Sequence, residues 1–137
     1  MRSSILLLSV LVVALIAGCD SSESALSREE REAFEDEIQA AILALEAAIG
    51  DARADDVSAC RLAAISTDGC GNPSSFRVYS VTDGDTLEIQ RLAARADSLN
   101  SAYNLALGTE PPCVTTEPPP LVLEEGRCRF EPQIVVN

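Results

Sequence analysis

Apolar residues recur at helical spacing in two long segments of the chain. The first segment, about residues 28–49, follows a capping-box pattern of Ser27 and Glu30 and stops at Gly50. The second segment, about residues 86–107, also stops at a glycine. The two apolar stripes comprise Phe34, Ile38, Ala41, Ile42, Leu45 and Ile49 in the first segment and Ile89, Leu92, Ala96, Leu99 and Tyr103 in the second.

Shorter patterns around the second helix predict strands and turns. Residues 76–81 are rich in aromatic and β-branched side chains and predict a strand, while residues 57–65 fit either a short strand or an irregular segment. Residues 121–130 predict a hairpin. The three prolines at 118–120 predict an extended segment, because proline lacks the amide donor that a sheet interior requires. We therefore predict an α+β fold in which two long amphipathic helices pack on a small antiparallel sheet or hairpin.

A separate aliphatic run, residues 5–16, precedes this predicted domain. About a dozen residues is the length of a signal-peptide core, whereas a membrane-spanning helix needs roughly 20. The run ends in residues 16–19, IAGC, which resemble the lipobox of bacterial lipoproteins. This resemblance implies that Cys19 is lipidated and becomes the first residue of the mature protein. The alternatives are an ordinary cleaved signal peptide and a buried helix that ends in a core cysteine.

These patterns predict three parts: a lipoprotein signal peptide at residues 1–18, a lipid-anchored tether at 19–27, and a single small domain at 28–137. Two or three acyl chains on Cys19 would hold the protein stably on a membrane. Asp20 matches the inner-membrane retention signal of enteric bacteria, but that rule varies between bacterial groups. The prediction is therefore a protein of the bacterial cell envelope, on the inner or the outer membrane, with its domain in the periplasm or outside the cell.

The composition narrows the chemistry that the domain can perform. The chain has 22 acidic residues and 10 basic residues, all of them Arg, so its net charge of -12 disfavours binding to nucleic acid. It contains no His and no Lys, which excludes His-activated nucleophiles, His-ligated metals and Schiff bases. We predict neither catalysis nor a cofactor. A carboxylate-based enzyme is the alternative, although the chain has few aromatic residues to bind a sugar.

Four cysteines remain once Cys19 is set aside, and an exported domain is expected to join them in two disulfides. Three pairings are possible. We favour Cys60–Cys70 with Cys113–Cys128, because short loops close easily in the unfolded chain. A four-cysteine zinc site is an alternative, but the C-x-x-C pairs typical of such sites are missing.

Three acidic residues, Asp83, Asp85 and Glu88, surround a glycine and are a weak candidate for a cation site. The alternative is an ordinary strand-to-helix turn, with Asp85 or Thr86 as the helix N-cap. Two tyrosines, Tyr79 and Tyr103, could line a ligand site. The alternative is that they pack in the core with their hydroxyl groups bonded at its edge.

The stretch between Cys113 and Cys128 is the most suggestive surface. If these two cysteines are joined, they hold an exposed, proline-stiffened loop, and Pro119, Pro120 and Leu121 are then candidate binding residues. The alternative is a passive connector. The predicted function is therefore non-catalytic binding of another envelope or secreted protein. The alternatives are a structural or stress-related envelope accessory and a binder of small ligands or cations.

A set of short motifs over residues 57–129 resembles a family of small bacterial envelope lipoproteins. That family has Cys-Gly-Gly-Pro at its second cysteine, so this chain departs from it at Asn72, which tolerates left-handed backbone, and at Pro112. The resemblance supports the predicted fold and the disulfides, and it implies no particular activity. The matching residues are Cys60, Cys70-Gly71-Asn72-Pro73, Tyr79-Ser80, Tyr103-Asn104, Gly108, Cys113 and Gly126-Arg127-Cys128.

Overall fold

The computed structural model describes residues 26–109, 111–114 and 116–132. The predicted signal peptide at residues 1–18, the predicted lipidation site Cys19 and Asp20 lie outside these ranges. Within them the chain is α+β, as predicted, and no helix is both long and apolar enough to cross a membrane. The elements are α1 (Arg28–Ile49), a 3₁₀ turn (Val57–Ala59), β1 (Cys60–Thr67), β2 (Pro73–Ser80), α2 (Thr86–Leu107), β3 (Leu121–Glu124) and β4 (Arg127–Phe130).

Both helices begin where their capping residues predict. The Ser27 hydroxyl accepts a hydrogen bond from the Glu30 N–H at 3.3 Å, and the Glu30 carboxylate accepts one from the Ser27 N–H at 2.8 Å. This reciprocal pair is the predicted capping box. At the start of α2, the Asp85 side chain accepts hydrogen bonds from the N–H groups of Leu87 and Glu88. Asp85 is therefore an N-cap.

The strands form two separate antiparallel pairs. In the first, β1 pairs with β2, Cys60 lies opposite Ser80, and the register shifts after Ala64. This pairing settles residues 57–65 as a 3₁₀ turn followed by a strand. In the second, β3 and β4 form the predicted hairpin, joined by a two-residue turn in which Glu125 and Gly126 both have positive φ, 50° and 71°.

The core lies where α1, α2 and β1 meet. Leu45 of α1 and Ile89 and Ala96 of α2 are completely buried, and Tyr79 of β2 is only 3% exposed. Tyr79 is therefore a core residue. The segment after α1 joins the β3–β4 hairpin to this core, because the Cys128 N–H donates to the carbonyl of Ala52 at 2.9 Å.

The chain has the two predicted disulfides, but the favoured pairing is wrong. Cys60 is bonded to Cys128 and Cys70 to Cys113, with Cα–Cα distances of 5.5 and 5.3 Å. The folded topology brings the start of β1 beside β4, and the β1–β2 turn beside the segment after α2. Each doubling of loop length costs only about 0.6 kcal/mol of closure free energy, so a preference for short loops is weak against native geometry.

Candidate functional site

The turn between β1 and β2 is organised by Asp68, a buried carboxylate that is 8% exposed. Its Oδ1 accepts hydrogen bonds from the N–H groups of Cys70 and Asn72, at 2.9 and 2.8 Å. Its Oδ2 accepts from the Asn72 side-chain amide at 3.2 Å and from the Val114 N–H at 3.0 Å. One side chain therefore fixes the turn and also connects it to the chain beyond α2.

These contacts also determine the charge of Asp68. Burial raises the pKa of its carboxyl group, but the hydrogen bonds from Asn72, Cys70 and Val114 outweigh burial and hold the pKa below its ordinary value of 3.8. Asp68 is consequently ionised at neutral pH. All the described hydrogen bonds to this carboxylate come from donors of the protein itself, so its charge stabilises the turn.

The chain after α2 is fastened to the same turn by three links among the described residues. The Cys70–Cys113 disulfide is one, the bond from Val114 to Asp68 is the second, and the Gly69 N–H donates to the Pro111 carbonyl at 3.2 Å. We refer to residues 111–114 and 116–120 as the proline segment.

The other end of the proline segment runs into the β3–β4 hairpin. The Pro120 carbonyl accepts a hydrogen bond from the Glu131 N–H at 2.9 Å, and Leu121 then pairs with Phe130. The hairpin is joined to β1 by the second disulfide. The prediction of a loop closed by a Cys113–Cys128 disulfide is therefore wrong. Each end of the proline segment is attached to a different part of the domain.

The three candidate binding residues differ in their surroundings. Pro120 is exposed and Pro119 is half-buried, whereas Leu121 begins β3 and packs against the core. Pro119 and Pro120 therefore offer accessible surface. Much of the Leu121 side chain is already buried against the core.

Two open grooves adjoin different parts of the proline segment. The helix-side groove, between α2 and the β1–β2 turn, and the strand-side groove, between β2 and β4, each measure about 410 Å³. The proline segment contributes Pro111 to the first groove and Thr116, Glu117 and Pro119 to the second. Other lining residues include Asn104, Leu105 and Gly108 in the helix-side groove and Ser75, Phe76 and Phe130 in the strand-side groove.

The helix-side groove is mainly apolar and hydroxyl-bearing. Leu105 is 82% exposed at its edge, and the carboxylate of Asp68 is occupied by internal donors. The Asn104 carbonyl accepts the Thr109 N–H at 3.0 Å in closing α2. This lining favours contact with an apolar or neutral surface over capture of a charged small molecule.

The candidate cation site does not assemble. Asp83 accepts a hydrogen bond from the Arg53 N–H at 2.8 Å, Asp85 caps α2, and Glu88 pairs with Arg91 at 2.6 Å. Within the ranges that the structure describes, no three side chains of metal-binding type converge. The three carboxylates therefore act in separate local contacts.

Tyr103 joins the two helices. Its ring lies 5.6 Å from that of Phe34, and its hydroxyl donates to a Glu35 oxygen at 2.8 Å. This hydrogen bond, helped by burial and by the charge of Glu35, raises the pKa of Tyr103. Tyr103 thus packs at the edge of the helix pair, and its hydroxyl group is engaged by Glu35.

Half of the residues that suggested a family resemblance lie at the β1–β2 turn or at the adjoining groove. Cys70 to Pro73 and Cys113 meet at the Asp68 turn, and Asn104 and Gly108 line the adjoining groove. No protein-family model, curated protein or solved structure matches the chain. Sequence reasoning missed Asp68, although an Asp that precedes Gly in a turn-rich stretch is typical of a side chain that bonds to the following backbone.

Proposed function

We propose that this protein is a lipid-anchored component of the bacterial envelope and that its proline segment binds another envelope or secreted protein without catalysis. The observation that carries the proposal is the attachment of this exposed segment at both ends, through one disulfide to the β1–β2 turn and through the hairpin and the other disulfide to β1. A segment that is already ordered loses little conformational entropy when a partner binds.

The exposed side chains define the chemistry of the partner. Pro118 and Pro120 are exposed and belong to a run of three prolines, a sequence that favours the extended form recognised by aromatic-lined grooves. Phe130, which is 38% exposed and lines the same groove as Pro119, offers further apolar contact. Glu117 directly precedes the three prolines, and the whole chain has a net charge of -12. We therefore expect a partner whose groove is lined by aromatic residues and rimmed by basic ones.

Lipidation would restrict where this partner is met. Residues 20–27 span at most about 27 Å when fully extended, at roughly 3.4 Å per residue. A domain tethered through Cys19 would thus stay close to the membrane surface. The substitution Cys19→Ser tests this part directly, with the protein expected to move from the membrane to the soluble fraction.

Site-specific photo-crosslinking tests the binding surface. A photo-reactive amino acid placed at Glu117, in the exposed segment, should crosslink one partner in intact cells, and the same amino acid at exposed Gln90 on α2 should not. The partner, identified by mass spectrometry and purified, should bind the unmodified protein. It should bind the variant with Pro118→Ala and Pro120→Ala at least about tenfold more weakly, the order of a lost contact of about 1.4 kcal/mol.

These alanine substitutions keep the backbone carbonyl of Pro120 that accepts the Glu131 N–H, so the loss of stability should be limited to about 0.4–1 kcal/mol per proline, from the greater freedom of the unfolded chain. Equal crosslinking from both positions, or equal affinity of the two proteins, would contradict the proposal. Membrane release by Cys19→Ser with no partner captured at Glu117 would leave the structural accessory as the better hypothesis.

A further inference from the structure

The two disulfides lie in opposite environments. Cys60 and Cys128 are 4% and 5% exposed and belong to the hydrophobic core. Cys70 and Cys113 are both exposed, on the turn and at the start of the proline segment. Thiol–disulfide exchange requires a thiolate to reach a sulfur atom directly, so accessibility separates the two bonds.

We propose that the Cys70–Cys113 bond is a site of reversible thiol–disulfide exchange with a dithiol reductant, and that its reduction releases the start of the proline segment while the core stays folded. The consequence for partner binding rests on the proposed function. The exchange and the release rest only on the structure around the bond.

The reaction balances with the dithiol as the sole co-reactant. A thiolate of the reductant attacks one sulfur of the Cys70–Cys113 bond, the bond breaks, and the other cysteine leaves as a thiolate that takes up a proton. The second thiol of the reductant, as its thiolate, then attacks the mixed disulfide. This step frees the remaining cysteine and closes a disulfide in the reductant. The protein gains two electrons and two protons, and the dithiol loses them.

The contacts around the bond indicate what reduction would change. Among the described residues, two hydrogen bonds would still connect the segment to the turn, from Gly69 to Pro111 and from Val114 to Asp68. Pro112, Cys113 and Val114 are exposed and add little packing. In contrast, Cys60–Cys128 would continue to join β1 to β4 inside the core. Reduction should therefore loosen one wall of the helix-side groove and one end of the proline segment.

Differential alkylation measures the exchange. The folded full-length protein, in mild detergent, is treated with dithiothreitol for increasing times, quenched with iodoacetamide and digested for mass spectrometry. Cys70 and Cys113 should be alkylated faster than Cys60 and Cys128, by on the order of tenfold or more. The far-UV circular dichroism should stay unchanged while this happens. Equal rates for the two pairs, or faster reaction of Cys60 and Cys128, would overturn the proposal.

Hydrogen exchange measures the release. After selective reduction, the amides of Gly69 and Val114 should exchange faster, because each donates a hydrogen bond between the two segments that the disulfide no longer joins. The amide of Ile89, in the first turn of α2, should keep its rate. Unchanged exchange at Gly69 and Val114 would overturn the release.

Two variants keep these results interpretable. The variant with Cys70→Ser and Cys113→Ser should match the selectively reduced protein in hydrogen exchange. The variant with Cys60→Ser and Cys128→Ser, if it folds, should still react first at Cys70 and Cys113. All these measurements need no binding partner, so they decide the exchange site separately from the crosslinking at Glu117. Loss of the crosslinked partner on reduction would further support the control of binding.

Discussion

Removing each disulfide separately should destabilise the domain unequally, and the larger loss should come from the buried bond. The bonds are nested, since the sequence separation of 68 residues between Cys60 and Cys128 encloses the 43 residues between Cys70 and Cys113. When the inner bond is intact, the outer one closes an effective loop of only about 25 residues. In the chain-entropy model such a loop is worth about 3.5 kcal/mol.

The same model gives about 3 kcal/mol for the inner bond when the outer one is intact. Chain entropy alone thus makes the stability contributions of the two bonds differ by less than about 1 kcal/mol. The difference in burial then decides which bond is more costly to remove. Replacing Cys60 and Cys128 by Ala removes two buried sulfur atoms from the core, which adds a packing loss of about 1–2 kcal/mol. Replacing the exposed Cys70 and Cys113 by Ala removes little packing.

Urea unfolding at neutral pH, followed by circular dichroism, measures both variants against the unmodified protein. We expect a loss of about 5 kcal/mol for Cys60→Ala with Cys128→Ala and about 3 kcal/mol for Cys70→Ala with Cys113→Ala. A native protein is stable by only about 5–15 kcal/mol, so the first variant should be marginal. If the exposed pair proved the more costly to remove, the reasoning from burial would be refuted.

Three further predictions concern single side chains. Leu45→Ala should cost about 2–5 kcal/mol in urea unfolding because Leu45 is fully buried, while Leu43→Ala, at a site 55% exposed, should change stability by less than about 0.5 kcal/mol; similar losses would contradict the packing described for α1. Ser27→Ala should cost about 1 kcal/mol by loss of the N-cap, and an unchanged urea midpoint would argue against the capping box. The pKa of Asp68 is lowered in the folded protein, so its contribution to stability is present above pH 3.8 and is lost as the pH falls through the pKa of the folded state. Asp68→Asn should remove this part of the pH dependence of the melting temperature. An identical pH dependence in the variant would count against the hydrogen bonds described for Asp68.

Features set by neighbouring residues were predictable from the sequence. Both helices have their predicted bounds because each is marked by local signals, such as the capping box at Ser27 and the glycine after Ile49. The β3–β4 hairpin was also predictable, because the turn residues Glu125 and Gly126 follow an apolar run and precede a short segment in which polar and apolar residues alternate. In these elements the physical cause lies within a few positions of the effect.

Features set by distant residues were not predictable. The disulfide pairing depends on which strand ends meet after folding, and a loop-length argument describes only the unfolded chain. The local hydrogen bonds of Asp68 follow from its place in a turn, but its link to the chain beyond α2 was not predictable, because that donor, Val114, is 46 positions away. The candidate binding residues were only partly separable from the sequence, because whether a side chain packs on the core, as Leu121 does, or remains exposed, as Pro120 does, depends on how the hairpin lies against the rest of the fold.

The composition of the core explains why two crosslinks suit this domain. Many of its buried apolar side chains are alanines, which let α1, α2 and β1 approach closely but bury little apolar area each. A small domain with such a core gains less from the hydrophobic effect than one filled by larger residues, and disulfides commonly compensate in exported proteins. The buried bond stabilises the β1–β4 junction. The exposed bond holds one end of the proline segment without requiring it to pack, and this leaves much of the segment accessible at the surface.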